Sequence, residues 1–367
     1  MKILITGNLG YIGPVVVKRI KQVLPDSVLI GLDIGFFEDC LSVSACAEEY
    51  FPHYQYHGDV RNVSLNFLKN VDAIIHLAAI SNDPMGNQFQ DSTMDINYNG
   101  TVKLARLAKE AKVKSFVFAS SCSMYGNATL NAKTEVDELN PLSVYAKSKV
   151  LSEQKLESLA DPDFTVTALR FSTAAGWSCR LRLDLVLNDF VSSAVLNNEM
   201  TILSNGEPWR PIIDVKDMAR AIEWGIKRTP NLGGDFLAVN VGSNDSNYKV
   251  KDLAGLVAQV IPNSKISINP NASNDNRSYK VNFDLFERLA PFHKPQIRLI
   301  DTINELKIGI EHMQFQTKNI YNTKYIRLNI LKELIEKHKL NQNLSWINYG
   351  YVNSILPSSY NIAKKCS

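Results

Sequence analysis

A tyrosine and a lysine placed four residues apart, Tyr145 and Lys149, are the residues in this chain best suited to proton transfer. Apolar residues recur around them across residues 142–156, and this pattern predicts an amphipathic helix. Residues at i and i+4 share one helix face, so the phenol and the ammonium should project side by side. Tyrosine titrates at about 10, and a lysine cation favours its phenolate, so the pair predicts a general acid/base. Taken alone, the spacing also fits an ordinary exposed helix face.

A glycine-rich turn follows the first predicted strand. Residues 2–6 form the short apolar run expected of a buried parallel strand, and a helical pattern begins after Gly13. Gly7 would permit a tight turn, Gly10 would let a pyrophosphate approach the backbone, and Gly13 would allow close packing of helix on strand. The helix N-terminus would supply amide donors for phosphates, although a purely structural turn is the alternative. The predicted cofactor-binding residues here are Gly7, Asn8, Leu9, Gly10, Tyr11, Ile12 and Gly13.

The second predicted strand, residues 27–33, ends in Asp33, which lies twenty residues beyond Gly13. At this position a carboxylate would receive the adenosine ribose hydroxyls and repel a 2′-phosphate. No arginine stands beside Asp33 in the sequence, so NAD is favoured over NADP. A solvated loop aspartate is the alternative.

Three further segments place candidate residues at strand ends, where open α/β sheets bind their ligands. Asp59 and Val60 could grip an adenine, and a buried strand that contains His76 ends in small residues. His76 itself is interpreted as a core histidine. A helix is predicted over residues 95–111, with Asn97 near its start. The residues predicted to line the groove are Leu77, Ala78, Ala79, Ser120, Ser121 and Ser123.

Composition narrows the class of protein. The 367 residues are 45% hydrophobic and 21% charged with a net charge of +3, which suits a soluble protein of two domains rather than a nucleic-acid or membrane surface. No apolar run is long enough to span a membrane. Five cysteines lack metal-ligand spacing, so we expect a cytoplasmic protein with reduced thiols and no metal.

The glycine turn, Asp33, the serine-rich strand end and Tyr145-x-x-x-Lys149, in this order, closely resemble the extended short-chain dehydrogenase/reductases. That family includes NAD-dependent nucleotide-sugar epimerases, 4,6-dehydratases and 4-ketosugar reductases, and the resemblance covers residues 1–310. It implies NAD as the cofactor, a nucleotide-diphosphate sugar as the substrate and a homodimer. It further implies a Rossmann-type doubly wound parallel sheet with a smaller C-terminal α/β substrate-binding subdomain. Ser121 would bond the sugar hydroxyl, Tyr145 would be the acid/base, and Lys149 would hold the nicotinamide ribose.

The resemblance also assigns regions. Residues 1–177 would form the NAD-binding domain, residues 178–310 mainly the substrate subdomain with segments returning to the first domain, and residues 311–367 a helical and polar extension. An amphipathic helix is predicted over residues 323–338, and Asp217 is expected to cap the helix that follows it. Phe171 would line the cofactor site, and Asn97 would lie beside the cofactor. The substrate-binding residues implied by the resemblance are Ser121, Ser123, Thr173, Asn188, Arg210 and Arg277.

One departure from the family pattern bears on the reaction. The 4,6-dehydratases carry an Asp-Glu pair where this chain has Cys122 and Ser123, so dehydration is disfavoured unless another carboxylate enters the site. Cys122 is interpreted as a buried structural thiol, although related enzymes use a nearby cysteine to move protons. An epimerase acting through a transient 4-ketosugar is the leading hypothesis. A 4-dehydrogenase or 4-ketosugar reductase comes next, then a 4,6-dehydratase, and an NAD-binding regulator is the non-enzyme alternative.

Overall fold

A parallel sheet with helices on both faces forms the centre of the molecule. The computed structural model describes residues 1–42, 47–269, 277–313, 315, 319–347 and 356–358. The strands are β1 (Lys2–Thr6), β2 (Val28–Asp33), β3 (Tyr54–His57), β4 (Ala73–His76), β5 (Ser115–Ser121), β6 (Asn127–Lys133), β7 (Thr165–Phe171), β8 (Thr173–Ala175), β9 (Glu199–Ile202), β10 (Trp209–Asp214), β11 (Phe236–Val241), β12 (Asn247–Lys249), β13 (Lys265–Ile268), β14 (Ser278–Val281) and β15 (Leu356–Ser358).

The helices alternate with these strands along most of the chain. The α-helices are α1 (Gly13–Val23), α2 (Asp83–Gln88), α3 (Gln90–Met94), α4 (Thr101–Glu110), α5 (Val144–Glu157), α6 (Val186–Asn197), α7 (Val215–Lys227), α8 (Val250–Val260), α9 (Asp284–Leu289), α10 (Leu299–His312) and α11 (Arg327–Glu336). A π-helical turn (Asp95–Gly100) joins α3 to α4.

The strand order of the central sheet is β11-β7-β5-β4-β1-β2-β3-β15, and all neighbours pair in parallel except β15 with β3. The chain builds outward from β1 in one direction and then, from β4, in the other, so the order reverses between β1 and β4. Ligands of such sheets bind at the carboxyl ends of the strands beside this switch point. The predicted doubly wound α/β fold is therefore confirmed.

The two faces of the sheet carry separate hydrophobic cores. Ile3 and Ile5 of β1 belong to one core, whereas Leu4 between them belongs to the other, because successive side chains of a strand point to opposite faces. The first core also contains side chains of α6, α8 and α10, such as Leu253. Residues 178–310 therefore share a core with the sheet. Within this range, α7 packs on the sheet and β11 is one of its strands.

The C-terminal segment lies on the opposite face. Helix α11 buries Leu331 completely, and Leu340 and Leu344 beyond it join the second core. The prediction of a helix here is confirmed, although α11 begins at Arg327 and ends at Glu336.

Two local predictions are wrong. Asp217 does not cap α7: Asp214 does, because its side chain accepts the Lys216 amide, while Asp217 accepts the amides of Gln296 and Ile297. Helix α5 buries only part of the expected apolar stripe, because Ala146 and Leu156 are buried but Leu142 before it is 46% exposed and Leu151 within it is 37% exposed.

Candidate active site

A cavity of about 1130 Å³ opens at the carboxyl ends of β1, β4, β5 and β7. It runs from the glycine turn, past α5, to the segments that follow α6 and β10. Most of the predicted site residues line it, namely Gly7, Gly10, Tyr11, Ile12, Asp33, Asp59, Val60, Leu77, Ala78, Ala79, Ser120, Ser121, Ser123, Tyr145, Lys149, Phe171, Thr173, Arg210 and Arg277.

The three predicted catalytic residues meet in this cavity. Ser121 ends β5, and a hydrogen bond joins its side chain to the Tyr145 phenol on α5. Lys149 lies one turn later on α5, with its ammonium 5.6 Å from the centre of the Tyr145 ring. Ser143 fixes the start of this helix, because its side chain accepts the Ala146 amide at 3.1 Å.

The pKa values of Tyr145 and Lys149 differ from those expected from the sequence. Burial raises the pKa of Tyr145 to about 12, and it lowers the pKa of Lys149 to about 7. The prediction that Lys149 lowers the pKa of Tyr145 is therefore wrong for this structure, in which the Lys149 ammonium donates to the Ala119 carbonyl at 2.6 Å. The groups that do lower the Tyr145 pKa are the hydrogen bond with Ser121 and the charge of Arg182.

Most of the buried side chains of α5 are polar. Glu153, one turn beyond Lys149, accepts a hydrogen bond of 2.5 Å from Ser120 and pairs with Arg170 at 2.7 Å. Arg170 in turn donates to the Tyr125 hydroxyl. This network ties α5 to β5 and β7, and the signal for it in the sequence is that Glu153 continues the i, i+4 series of Tyr145 and Lys149.

The glycine turn fits a dinucleotide closely. Gly7 has φ of +74°, and a Cβ there would lie 2.5 Å from the Ala78 amide nitrogen, so only glycine lets the turn approach β4. In the described structure no side chain caps the start of α1. Pro14 has no amide hydrogen and the Val16 amide bonds the Ile12 carbonyl, so the amides of Gly13 and Val15 are the ones in this first turn that could bind an anion.

Two carboxylates lie at the far end of the same groove. Asp33 accepts the amides of Leu9 and Gly35, and burial raises its pKa. Asp59 pairs with Arg61 at 2.6 Å, so it is held rigidly at the cavity wall beside Val60. This arrangement fits an adenosine ribose and its base.

Five predicted site residues do not line the cavity and instead hold its walls. The Asn97 side chain bonds both the amide and the carbonyl of Ile80, and Asn188 accepts the Gly176 amide while donating to Tyr11. A Cβ at Gly13 would lie 2.1 Å from the Asn8 carbonyl oxygen. The five residues are Asn8, Leu9, Gly13, Asn97 and Asn188.

His76 is a core histidine, as interpreted. Its ring nitrogens bond the hydroxyls of Thr6 and Thr101 at 2.6 and 2.7 Å, and burial lowers its pKa to about 3. Cys122 is fully buried, its thiol donates to the Arg170 carbonyl, and burial raises its pKa. The interpretation of Cys122 as a structural thiol is confirmed.

The substrate end of the cavity contains residues that the sequence did not single out. Arg277 pairs with Asp83 at 2.6 Å, and Asp83 also accepts a 2.5 Å hydrogen bond from Ser143 at the start of α5. Tyr279 lies against Arg210 and bonds Thr173.

A second unpredicted group joins the N-terminal and C-terminal parts of the wall. Arg182 pairs with Asp184 at 2.9 Å and donates to Ser81, and Arg327 of α11 lies nearby. No spacing rule could have found this group, because Ser81 and Arg327 both lie far from Arg182 in the chain.

Comparison of the sequence with known protein families identifies one that matches this chain. A family model described as the NAD dependent epimerase/dehydratase family matches residues 3–242. The chain belongs to this family. NAD is accordingly its cofactor, and the glycine turn, Asp33 and the uncapped start of α1 fit that molecule.

Proteins similar to this chain differ in their sequence identity to it and in the share of it that they match. A protein of Bacillus subtilis (strain 168) named "Uncharacterized UDP-glucose epimerase YtcB" is 28% identical over 284 residues, covering 74% of this chain and 87% of that protein. The UDP-glucose 4-epimerase of Yersinia enterocolitica is 32% identical over 185 residues, 48% of this chain and 54% of its own. The fold matches that of MoeE5, solved in complex with UDP-glucose and NAD, with a TM-score of 0.71, 22% identity, and coverage of 85% of this chain and 99% of that one.

Membership makes the chain an enzyme of the epimerase/dehydratase type. Among the described residues, no helix is both long and apolar enough to cross a membrane.

Proposed function

We propose that this protein is an NAD-dependent nucleotide-sugar epimerase that acts through a transient 4-ketosugar. The observation that carries the proposal is the convergence of Ser121, Tyr145 and Lys149 on a cavity that extends to Arg210 and Arg277. One end of the cavity suits the dinucleotide, and the other end offers two guanidinium groups for a diphosphate. Relatives named as UDP-glucose 4-epimerases support the same reaction.

The side chains have distinct roles in this reaction. Tyr145 removes the proton of the sugar hydroxyl and later returns it, while Ser121 bonds that hydroxyl and orients it. Lys149 holds the ribose of the cofactor from the adjacent turn of α5. Bound NAD would supply the hydride chemistry at the sugar carbon, and its oxidised nicotinamide ring would be cationic.

The environment of Tyr145 suits both directions of transfer. Burial keeps the phenol protonated, so it is ready to act as an acid. The Ser121 hydrogen bond and the Arg182 charge favour the phenolate, and a cationic cofactor ring would add to them.

Dehydration is the less favoured reaction for a structural reason. The thiol of Cys122 is buried away from the cavity, and Ser123 accepts a hydrogen bond from Ser121. Five carboxylates of the described residues line the cavity, and each already has partners: Asp59, Asp83 and Asp184 pair with arginines, Asp33 accepts two backbone amides, and Asp189 bonds Ser193 and Tyr321. None is therefore set up to take a proton from a sugar carbon. A homodimer and a cytoplasmic location are further parts of the proposal.

The test is turnover of a panel of UDP-, dTDP-, GDP- and CDP-sugars by the purified protein, with product stereochemistry read by NMR. Conversion of one sugar to its C4 epimer without added cofactor supports the proposal, because the hydride is returned within each turnover. A product that requires net NAD reduction would indicate a dehydrogenase, and loss of water would indicate a dehydratase. NAD binding without turnover of any sugar would favour the regulator.

Tyr145→Phe provides the matched variant. It removes one hydroxyl, so turnover should fall by about 100-fold or more, the usual contribution of a positioned acid/base. NAD affinity, measured by calorimetry, should stay close to that of the wild type. Wild-type turnover in this variant would contradict the role of Tyr145.

A further inference from the structure

Three arginines are buried together beside the cofactor end of the cavity. Arg180, Arg182 and Arg327 are 2%, 7% and 1% exposed, although they come from the loop after β8 and from α11. Arg327 donates to the carbonyls of Arg180 and Leu181 at 2.9 and 3.2 Å, so the chain segments that carry the three arginines are in direct contact.

Their charge is only partly balanced by the protein. Arg182 pairs with Asp184, whereas Arg180 bonds the carbonyls of Phe37 and Glu38, and Arg327 bonds carbonyls alone. Within the described part of the chain, Asp184 is the one carboxylate in salt-bridge distance of this arginine cluster. At longer range the Asp33 carboxylate also interacts with Arg180, so two carboxylates face three guanidinium groups and one positive charge is in excess.

An excess of buried positive charge is costly unless an anion compensates it. Carbonyl oxygens satisfy N–H donors but carry only partial charge. Arg182 and Arg327 both line the cavity, so an anion that enters it can reach them. The negative charge of a pyrophosphate would balance this excess.

The position of the arginine cluster follows the path expected for the dinucleotide. Arg180 holds the loop that continues from Asp33, and Arg327 lies 5.1 Å from the centre of the Phe37 ring in that loop. The same stretch also contacts the glycine turn, because Ser178 donates to the Tyr11 carbonyl at 2.7 Å. The arginines therefore lie between the end of the cavity predicted to bind the adenosine of NAD and the end predicted to bind its nicotinamide.

We propose that Arg327 and Arg182 bind the pyrophosphate of NAD, so that α11, which lies beyond the residues matched by the family model, supplies part of the cofactor site. The amides at the start of α1 and the guanidinium groups then bind one diphosphate together. The diphosphate of a nucleotide sugar is the other candidate anion, and Arg210 with Arg277 is placed for it. The inference rests on NAD as the cofactor and is independent of which sugar is converted.

The experiment measures binding by calorimetry to the full chain freed of nucleotide. Arg327→Met should weaken NAD and ADP-ribose by about 10- to 100-fold, the contribution of a charged hydrogen bond. Adenosine, which lacks phosphate, and UDP should bind as to the wild type. Arg298→Met, which removes an arginine that is exposed at the start of α10 and paired with Asp301, is the matched control and should leave all four ligands unchanged.

Two more variants separate charge from packing. Arg327→Gln keeps an N–H donor for the carbonyls and replaces Arg327→Met if that variant does not fold. Arg327→Lys restores the charge without the planar fork and should recover part of the ADP-ribose affinity. A folded neutral variant with wild-type ADP-ribose affinity would overturn the proposal, as would loss of UDP binding alone or equal loss of adenosine binding.

Discussion

The buried ammonium of Lys149 makes the stability of the protein depend on pH. Its pKa in the folded protein is about 7, below the ordinary value of 10.5, because burial disfavours the charged form. Between these values the unfolded chain binds more protons, so the free energy of unfolding should rise with pH. Above about pH 9 the buried thiols of Cys40 and Cys122, whose pKa is raised, act in the opposite direction. The rise is therefore expected between about pH 7 and pH 9.

The check is denaturant unfolding of the wild type and Lys149→Met across that range. The wild type should gain up to a few kcal/mol, because each unit of pKa corresponds to about 1.4 kcal/mol. Lys149→Met should show a nearly flat profile. Equal slopes for the two proteins would show that another group titrates.

At the residue scale, prediction from sequence succeeds where short spacing places side chains together. Tyr145 and Lys149 are neighbours on one helix, and Ser121 and Asp33 each end a strand of the same parallel sheet, so local rules locate them. Arg182 and Asp83 escape such rules because they contact residues distant in the chain, Ser81 for Arg182 and Arg277 for Asp83. The pKa of Tyr145 departs from the prediction because burial, which the sequence does not reveal, raises it to about 12.

Helix α1 depends on a glycine that carries no ligand. Gly13 lies against the Asn8 carbonyl, and a Cβ there would be 2.1 Å from that oxygen, so Gly13→Ala must displace the turn or the helix. We expect a loss of stability of more than about 2 kcal/mol together with weaker NAD binding. Gly255→Ala in α8 is the control, because nothing lies within 4 Å of its Cβ, and it should be neutral or stabilising by about 1 kcal/mol. Thermal unfolding and NAD titration of both variants measure these changes in stability and in NAD affinity.

Helix α5 shows why an apolar pattern can mislead about which face is buried. Ser148, Ser152 and Glu153 are buried while Leu151 is partly exposed. The polar side chains find partners on neighbouring elements, such as Asn97 for Ser148 and Arg170 for Glu153, so burying them costs little. The helix was predictable as a helix, but its orientation depends on these distant partners.

The contact between α2, α5 and the segment before β14 should affect substrate affinity. Arg277 must leave Asp83 if it is to bind a diphosphate, so the ion pair competes with substrate. Asp83→Asn keeps an oxygen for Ser143 and removes the charge. We expect KM to fall by about two- to fivefold, the strength of a partly exposed ion pair, with little change in kcat.

The control for Asp83→Asn is Glu207→Gln, which breaks the ion pairs with Lys249 and Lys251 outside the cavity and should leave KM unchanged. Steady-state kinetics with the active nucleotide sugar measures both variants. A higher KM in Asp83→Asn would show that the ion pair positions Arg277 for the substrate instead of competing with it.

At the scale of the whole molecule, the C-terminal segment beyond residue 310 packs against the body of the fold. The Trp346 indole donates to the Ile34 carbonyl just beyond β2, and Arg61 bonds the carbonyls of Asn343 and Leu344. The C-terminal segment therefore closes around the end of the groove that contains Asp33 and Asp59. Family motifs predicted the doubly wound sheet and its glycine turn, whereas this packing follows from no motif and appears only in the folded chain.

This arrangement couples packing of the C-terminal helix to cofactor binding. Leu331 is fully buried against the sheet, and α11 also carries Arg327, so Leu331→Ala should cost about 2–5 kcal/mol and loosen NAD. Lys332→Ala, exposed on the next position of the same helix, should change stability by less than about 0.5 kcal/mol. Denaturant unfolding with and without NAD separates the two effects. If α11 closes the site, NAD should stabilise Leu331→Ala less than it stabilises the wild type, whereas an equal gain would mean that α11 supports the fold alone.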